Sequence, residues 1–127
     1  MITNKRPTIL LVEDNPINIV VIKKILSAFY DVDTITSGRK LQTMLEKTDY
    51  QLILTDMNLG DDEINGFDVM QQVRNNVQTA HLPVVVVTAY TLVDDIERFK
   101  QQGFTDFIPK PVNKDFLLHV LDKYLIK

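Results

Sequence analysis

Five short apolar or β-branched runs, each followed by a helical pattern, constrain this chain more than any other feature. Ile9-Leu10-Leu11-Val12, Leu52-Ile53-Leu54 and Val84-Val85-Val86-Val87 are continuous apolar runs, with no polar alternation. A strand that is apolar on both faces needs helices on both sides, the situation of a parallel sheet. We therefore expect central strands over Thr8–Val12, Leu52–Asp56 and 83–88. Residues 32–36 mix Asp33 and Thr34 into their run and read as an edge, and Asp106–Pro109 supplies a short fifth strand. The intervening patterns predict helices over about 17–29, 38–47, 67–76, Val93–Gln102 and 114–125. Asp14 or Asn15 caps the first, with Pro16 in its first turn, where a missing N–H costs nothing.

Five βα units of this kind predict an α/β fold. Its expected form is a flavodoxin-like (βα)5 doubly wound parallel sheet with strand order 2-1-3-4-5. Ligands of such sheets bind beyond the carboxyl ends of the strands. Here those ends carry Glu13 and Asp14, then Asp56, then Thr88, then Lys110. Three carboxylates, a hydroxyl and an ammonium together suit a divalent cation and a phosphoryl group. Acids crowded in this way repel, so at least one pKa should rise. A hard, oxygen-seeking cation relieves the conflict: Mg²⁺, with Mn²⁺ as a substitute. Asp56 would then act as a nucleophile toward phosphorus. Such transfer needs mainly positioning and charge neutralisation, which Lys110, Thr88 and the metal could supply.

A length of 127 residues fits one domain, and we read 1–127 as a single unit. Hydrophobic residues make up 45%, enough for a real core, and the net charge of -3 argues against a nucleic-acid partner. No apolar stretch nears the roughly 18 residues of a membrane span, and no signal-peptide pattern opens the chain. We expect a cytoplasmic domain that makes no membrane contact itself. With no cysteine, disulfides, thiolate zinc sites and thiol catalysis are excluded.

The motifs Leu11-Val12-Glu13-Asp14-Asn15, Leu54-Thr55-Asp56, Thr88-Ala89 and Ile108-Pro109-Lys110-Pro111 occur in this order over nearly the whole chain. Together they resemble the receiver domain of two-component response regulators. The resemblance implies that Asp56 accepts a phosphoryl group from a histidine kinase or a histidine phosphotransfer protein. It implies that Asp14 binds Mg²⁺ directly, Glu13 through water, and Asn58 through its backbone carbonyl. Thr88 and Lys110 would hold the phosphoryl oxygens, Lys110-Pro111 would be a cis peptide, and Phe107 would be the switch aromatic. The stretch from Val12 to Val21, followed by Leu26, is similar to receivers of hybrid sensor kinases and phosphorelays.

Several residues depart from that pattern. Gly60 stands where the family usually carries proline, and the loop from Asn58 to Gly66 is about two residues longer than usual. Asp61, Asp62 and Glu63 make it acidic; we read them as a solvated insertion, with a second metal or a partner-docking role as the alternative. Glu13 replaces a more common aspartate, and Phe107 lacks the hydroxyl of a tyrosine. Tyr90, bulky and two residues after Thr88, is expected to shield an acyl phosphate from water.

On a helical wheel for 17–29, Asn18, Val21, Ile22, Ile25, Leu26 and Phe29 share the face expected to be buried. Ile17 and Val20 fall opposite and form a candidate docking patch for a histidine-bearing partner. His81 and His119 read as surface residues, and Met44, Met57 and Met70 as filler. The expected function is thus a regulatory phosphoacceptor that catalyses only its own phosphorylation and dephosphorylation. A pseudo-receiver that binds partners without phosphorylation is one alternative. An aspartate-nucleophile phosphatase is another, although Asn58 stands where its second aspartate should be and no cap domain fits. A flavin site would need a phosphate-cradling loop after the first strand, where the chain reads Glu-Asp-Asn-Pro.

Overall fold

Three runs of five buried residues form the middle of the sheet: β1 (Thr8–Val12), β3 (Leu52–Asp56) and β4 (Val84–Thr88). They are flanked by β2 (Asp31–Ile35) and β5 (Asp106–Pro109), and all five strands are parallel in the order β2-β1-β3-β4-β5. The structure is a computed structural model that describes residues 6–60, 64–90 and 92–125. Its helices are α1 (Pro16–Leu26), α2 (Leu41–Lys47), α3 (Gly66–Asn75), α4 (Val93–Gln102) and α5 (Lys114–Tyr124). None of the described helices is long and apolar enough to cross a membrane.

Alternate residues of each central strand feed two cores. Leu10, Val12, Ile53, Val84 and Val86 pack with Leu41, Val69, Val73 and Phe99 on the face covered by α2, α3 and α4. Ile9, Leu11, Leu54, Val85 and Val87 pack with Ile22, Leu26, Leu117 and Leu121 on the face covered by α1 and α5. Each fully buried aliphatic side chain contributes about 1.5–3 kcal/mol, so these strands are the main source of stability. The polar edge strand β2 is only partly covered, in line with its sequence.

Register brings the strand ends level. Val12 lies opposite both Ile35 and Thr55, Asp56 opposite Val87, and Thr88 opposite Pro109. The residues that follow β1, β3, β4 and β5 therefore open onto one edge.

The sequence reading differs from the structure mainly at helix ends. α1 stops at Leu26, with Ser27 as its C-cap. Phe29 consequently lies in the turn rather than on the helix face, and it is exposed while Tyr30 takes the buried place. Val21 is also exposed, because it borders a groove beside Pro111 instead of facing the sheet. The second helical segment opens as a 3-10 turn over Gly38–Lys40, where Ser37 Oγ accepts from the Arg39 amide. Met70 is core, while His81 and His119 are exposed.

Candidate functional site

Each side chain of the site is set by a strand end and by the turn that follows it. After β1 the chain turns sharply into α1, because Asn15 caps that helix: its Oδ1 accepts from the amides of Ile17 (2.9 Å) and Asn18 (3.1 Å). That turn leaves Glu13 buried at 1% exposure and Asp14 in the open mouth of the cleft. Asp56, the last residue of β3, is 4% exposed. One carboxylate oxygen from each of Glu13, Asp14 and Asp56 lies within 4.8 Å of the others.

Among the described residues one ammonium answers these acids. Lys110 Nζ lies 2.8 Å from Asp56 Oδ2, and the other Asp56 oxygen accepts from the Asn58 amide at 3.2 Å. Lys110 is carried there by β5, and its own amide donates to the Thr88 carbonyl at 2.9 Å. The Lys110-Pro111 peptide is cis. Burial pushes the Glu13 carboxyl up to about 7, assisted by its hydrogen bond and repulsion with Asp56 and opposed by Asn18 and Lys110. One acid does rise, as crowding suggests, but loss of water contributes more than repulsion.

Thr88 ends β4, buried, and its Oγ1 accepts from the Tyr90 amide at 3.0 Å. The hydroxyl therefore ties the loop before α4 to the strand end. Phe107 is half-buried and packs against the core on the α2, α3 and α4 face. The exposed Tyr90 borders a surface groove with Met57, Phe67 and Arg98. On the other side of the cleft a groove of about 220 Å³ runs between α1 and Pro111, lined by Asn18, Val21, Ile22 and Val112. Ile17 and Val20 are 73% and 65% exposed on the same helix. The acidic residues Asp61, Asp62 and Glu63 lie outside the described residues.

The start of α3 is pressed against the site. A Cβ on Gly66 would lie 2.5 Å from the Asp56 carbonyl oxygen, so only glycine lets the helix begin there. Asn65 and Asp68 form a capping box that fixes this start.

The family model for the response regulator receiver domain matches residues 9–122. The chain belongs to that family. Among relatives of this receiver, the polar-differentiation response regulator DivK of Brucella ovis is 28% identical, over 93% of this chain and 95% of its own. Among solved structures, the receiver domain of sensor histidine kinase PA1611 from Pseudomonas aeruginosa PAO1 superposes with a TM-score of 0.81. It is 30% identical, covers 94% of this chain and 97% of its own, and has magnesium coordinated in its active site cleft. The chemotaxis response regulator CheY4 of Vibrio cholerae superposes with a TM-score of 0.85 at 26% identity, over 95% of this receiver and 100% of that protein.

Two features of this receiver's cleft were not legible in its sequence. Asn18, in the first turns of α1, lines the same groove as Glu13 and favours its ionised form, a placement that the asparagine's position among apolar residues does not announce. Val21 joins the exposed side of that helix instead of the core.

Proposed function

We propose that residues 1–127 form one receiver domain whose Asp56 takes a phosphoryl group from the phosphohistidine of a kinase or histidine phosphotransfer protein. The observation that carries this reading is the Asp56 carboxylate, oriented by Lys110 and the Asn58 amide beside two further acids. An Asp56 oxygen attacks phosphorus, the phosphorus–nitrogen bond breaks, and the departing imidazole takes up a proton. The ammonium of Lys110 moves its partnership from Asp56 to the incoming phosphoryl oxygens. Thr88, already accepting from Tyr90, has its own hydroxyl hydrogen free to donate to another of those oxygens. That new bond pulls on the loop before α4 and changes the surface near Thr88 and Phe107.

The donor set fits Mg²⁺, with Mn²⁺ as a substitute. Glu13, Asp14, Asp56 and the Asn58 carbonyl supply only hard oxygens, and among the described residues three acids facing one lysine leave the cleft short of positive charge. A bound cation would supply the neutralisation that phosphoryl oxygens need. The magnesium in the PA1611 receiver supports the same assignment here.

Ile17 and Val20, joined by Val21, offer the partner an apolar landing face next to the cleft. The resemblance to receivers of hybrid kinases and phosphorelays favours such a partner, and a cytoplasmic location goes with it. Tyr90 would slow hydrolysis if it folds over the acyl phosphate, and a Tyr90→Ala protein with an unchanged dephosphorylation rate would exclude that role.

Intact mass after incubation with Mg²⁺ and acetyl phosphate tests the central reading. One phosphoryl adduct is expected, labile to hydroxylamine and lost in Asp56→Asn. No adduct from acetyl phosphate or from a phosphohistidine donor would make the domain a pseudo-receiver. Continuous turnover of phosphate esters would make it a phosphatase.

A further inference from the structure

Gly60 is where the loop after β3 meets the acidic cluster. Its backbone lies at φ +67°, and a Cβ built there would be 2.5 Å from Asp14 Oδ2. Real side chains do not approach an oxygen so closely, so on this left-handed backbone the Asp14 carboxylate occupies the space that a Cβ at position 60 would fill. One of the two must yield. The loop is held, because Leu59 is buried at 4% exposure and the Asn58 amide is bonded to Asp56. The Asp14 side chain is short, exposed and able to rotate away. A Cβ at position 60 therefore displaces the Asp14 carboxylate before it disturbs the fold.

We propose that Gly60 is a positioning residue: by lacking a Cβ it lets Asp14 lie within reach of Glu13 and Asp56. This rests on the metal reading above and adds to it a residue that makes no contact with the cation. It also explains how a loop of unusual composition is compatible with a complete set of carboxylates. Sensitivity at position 60 comes from the neighbour it admits, not from its own chemistry.

The test is an NMR-detected Mg²⁺ titration at pH 8 of the wild-type protein, Gly60→Ala, Gly60→Asn, Asp14→Ala and the Gly60→Ala/Asp14→Ala double variant. Asparagine tolerates left-handed backbone better than alanine, so Gly60→Asn keeps the comparison sound if backbone strain unfolds Gly60→Ala. Both single Gly60 variants should bind Mg²⁺ about tenfold more weakly, the size usual for losing a group that orients a ligand. With Asp14 already removed, Gly60→Ala should change nothing further. Wild-type affinity in the Gly60 variants overturns the inference alone, as does a loss that persists undiminished in the Asp14→Ala background. A wild-type protein that binds no Mg²⁺ overturns the metal reading and the inference with it.

Discussion

The two edges of the sheet handle carboxylates in opposite ways. At the carboxyl edge, Glu13, Asp14 and Asp56 face one another with Lys110 as the ammonium among them. At the amino edge the acids have donors. The Tyr50 hydroxyl donates to Asp33 at 2.7 Å, the Tyr30 hydroxyl donates to Asp122, and Tyr124 donates to Asp106 at 2.6 Å. Lys123 adds an ion pair to Asp106 at 3.1 Å. Burial pushes the Asp106 carboxyl up, yet its hydrogen bonds from Tyr124, the Phe107 amide and Lys123 outweigh that and hold it below the usual range. Arg74 clamps the same edge, donating to the carbonyls of Gly103 (2.9 Å), Ala80 (3.1 Å) and Leu82. Burial costs stability where acids are left to repel and is harmless where donors meet them. The chemistry thus sits on the edge that the fold leaves in conflict.

The comparison breaks most visibly at Arg74. Arg74→Ala should destabilise the protein by about 3 kcal/mol, because several half-buried carbonyls lose their donor. Urea unfolding reads this, and Mg²⁺ affinity should stay at the wild-type value.

At the opposite edge, removing a charge should stabilise. Burial holds the Glu13 carboxyl of the folded protein up at about 7, against 4.5 for an exposed glutamate. The folded state therefore holds its proton more tightly, and the cost of ionising Glu13 is absent below 4.5, grows as pH rises, and is complete above about 7. Glu13→Gln should gain up to about 3 kcal/mol at pH 8 without metal and nothing at pH 4. Thermal unfolding across that range would contradict the comparison if the variant were less stable at pH 8.

Mg²⁺ should act in the same sense on the wild-type protein. At tenfold over its dissociation constant it should add about 1.4 kcal/mol at pH 8. The increment should shrink as pH falls below about 7, since Glu13 must lose its proton to serve the cation. A melting temperature that rises equally at pH 5.5 and pH 8 would take Glu13 out of the metal set.

The smallest effect belongs to a single satisfied pair. Tyr50→Phe should cost about 1 kcal/mol by leaving Asp33 without its hydroxyl donor, with no change in phosphorylation. A cost several times larger would mean that the amino edge stores more stability in one pair than hydrogen bonding explains.

Much of this was legible along the chain. Strands β1, β3 and β4 declare themselves by continuous apolar runs, and β2 by its polar interruptions. Glu13, Asp14, Asp56, Thr88 and Lys110 follow from the strand ends, because a parallel sheet brings such ends level. The end of α1 did not follow: Phe29 continues the helical period, but the chain leaves the helix at Ser27 to bury Tyr30. The pairs at the amino edge were hidden for another reason. Tyr30 and Asp122 are 92 residues apart, and Arg74 reaches Gly103 across 29, so no local pattern records them. The rank of causes behind the Glu13 shift was hidden too, since desolvation depends on what the rest of the chain packs around a carboxylate.

The Gly66 amide donates to the Met57 carbonyl at 2.8 Å, and this bond has a use outside phosphorylation. It works as a clasp: the backbone enters and leaves the acidic segment at nearly the same point. Chain added inside a clasp pulls on the clasp, not on what lies beyond it, and each doubling of its length costs only about 0.6 kcal/mol. Room for added residues in that segment follows from the clasp alone. A reporter peptide spliced between Gly60 and Asn65 would hang close to Asp56 while the strand that carries it stayed where it is.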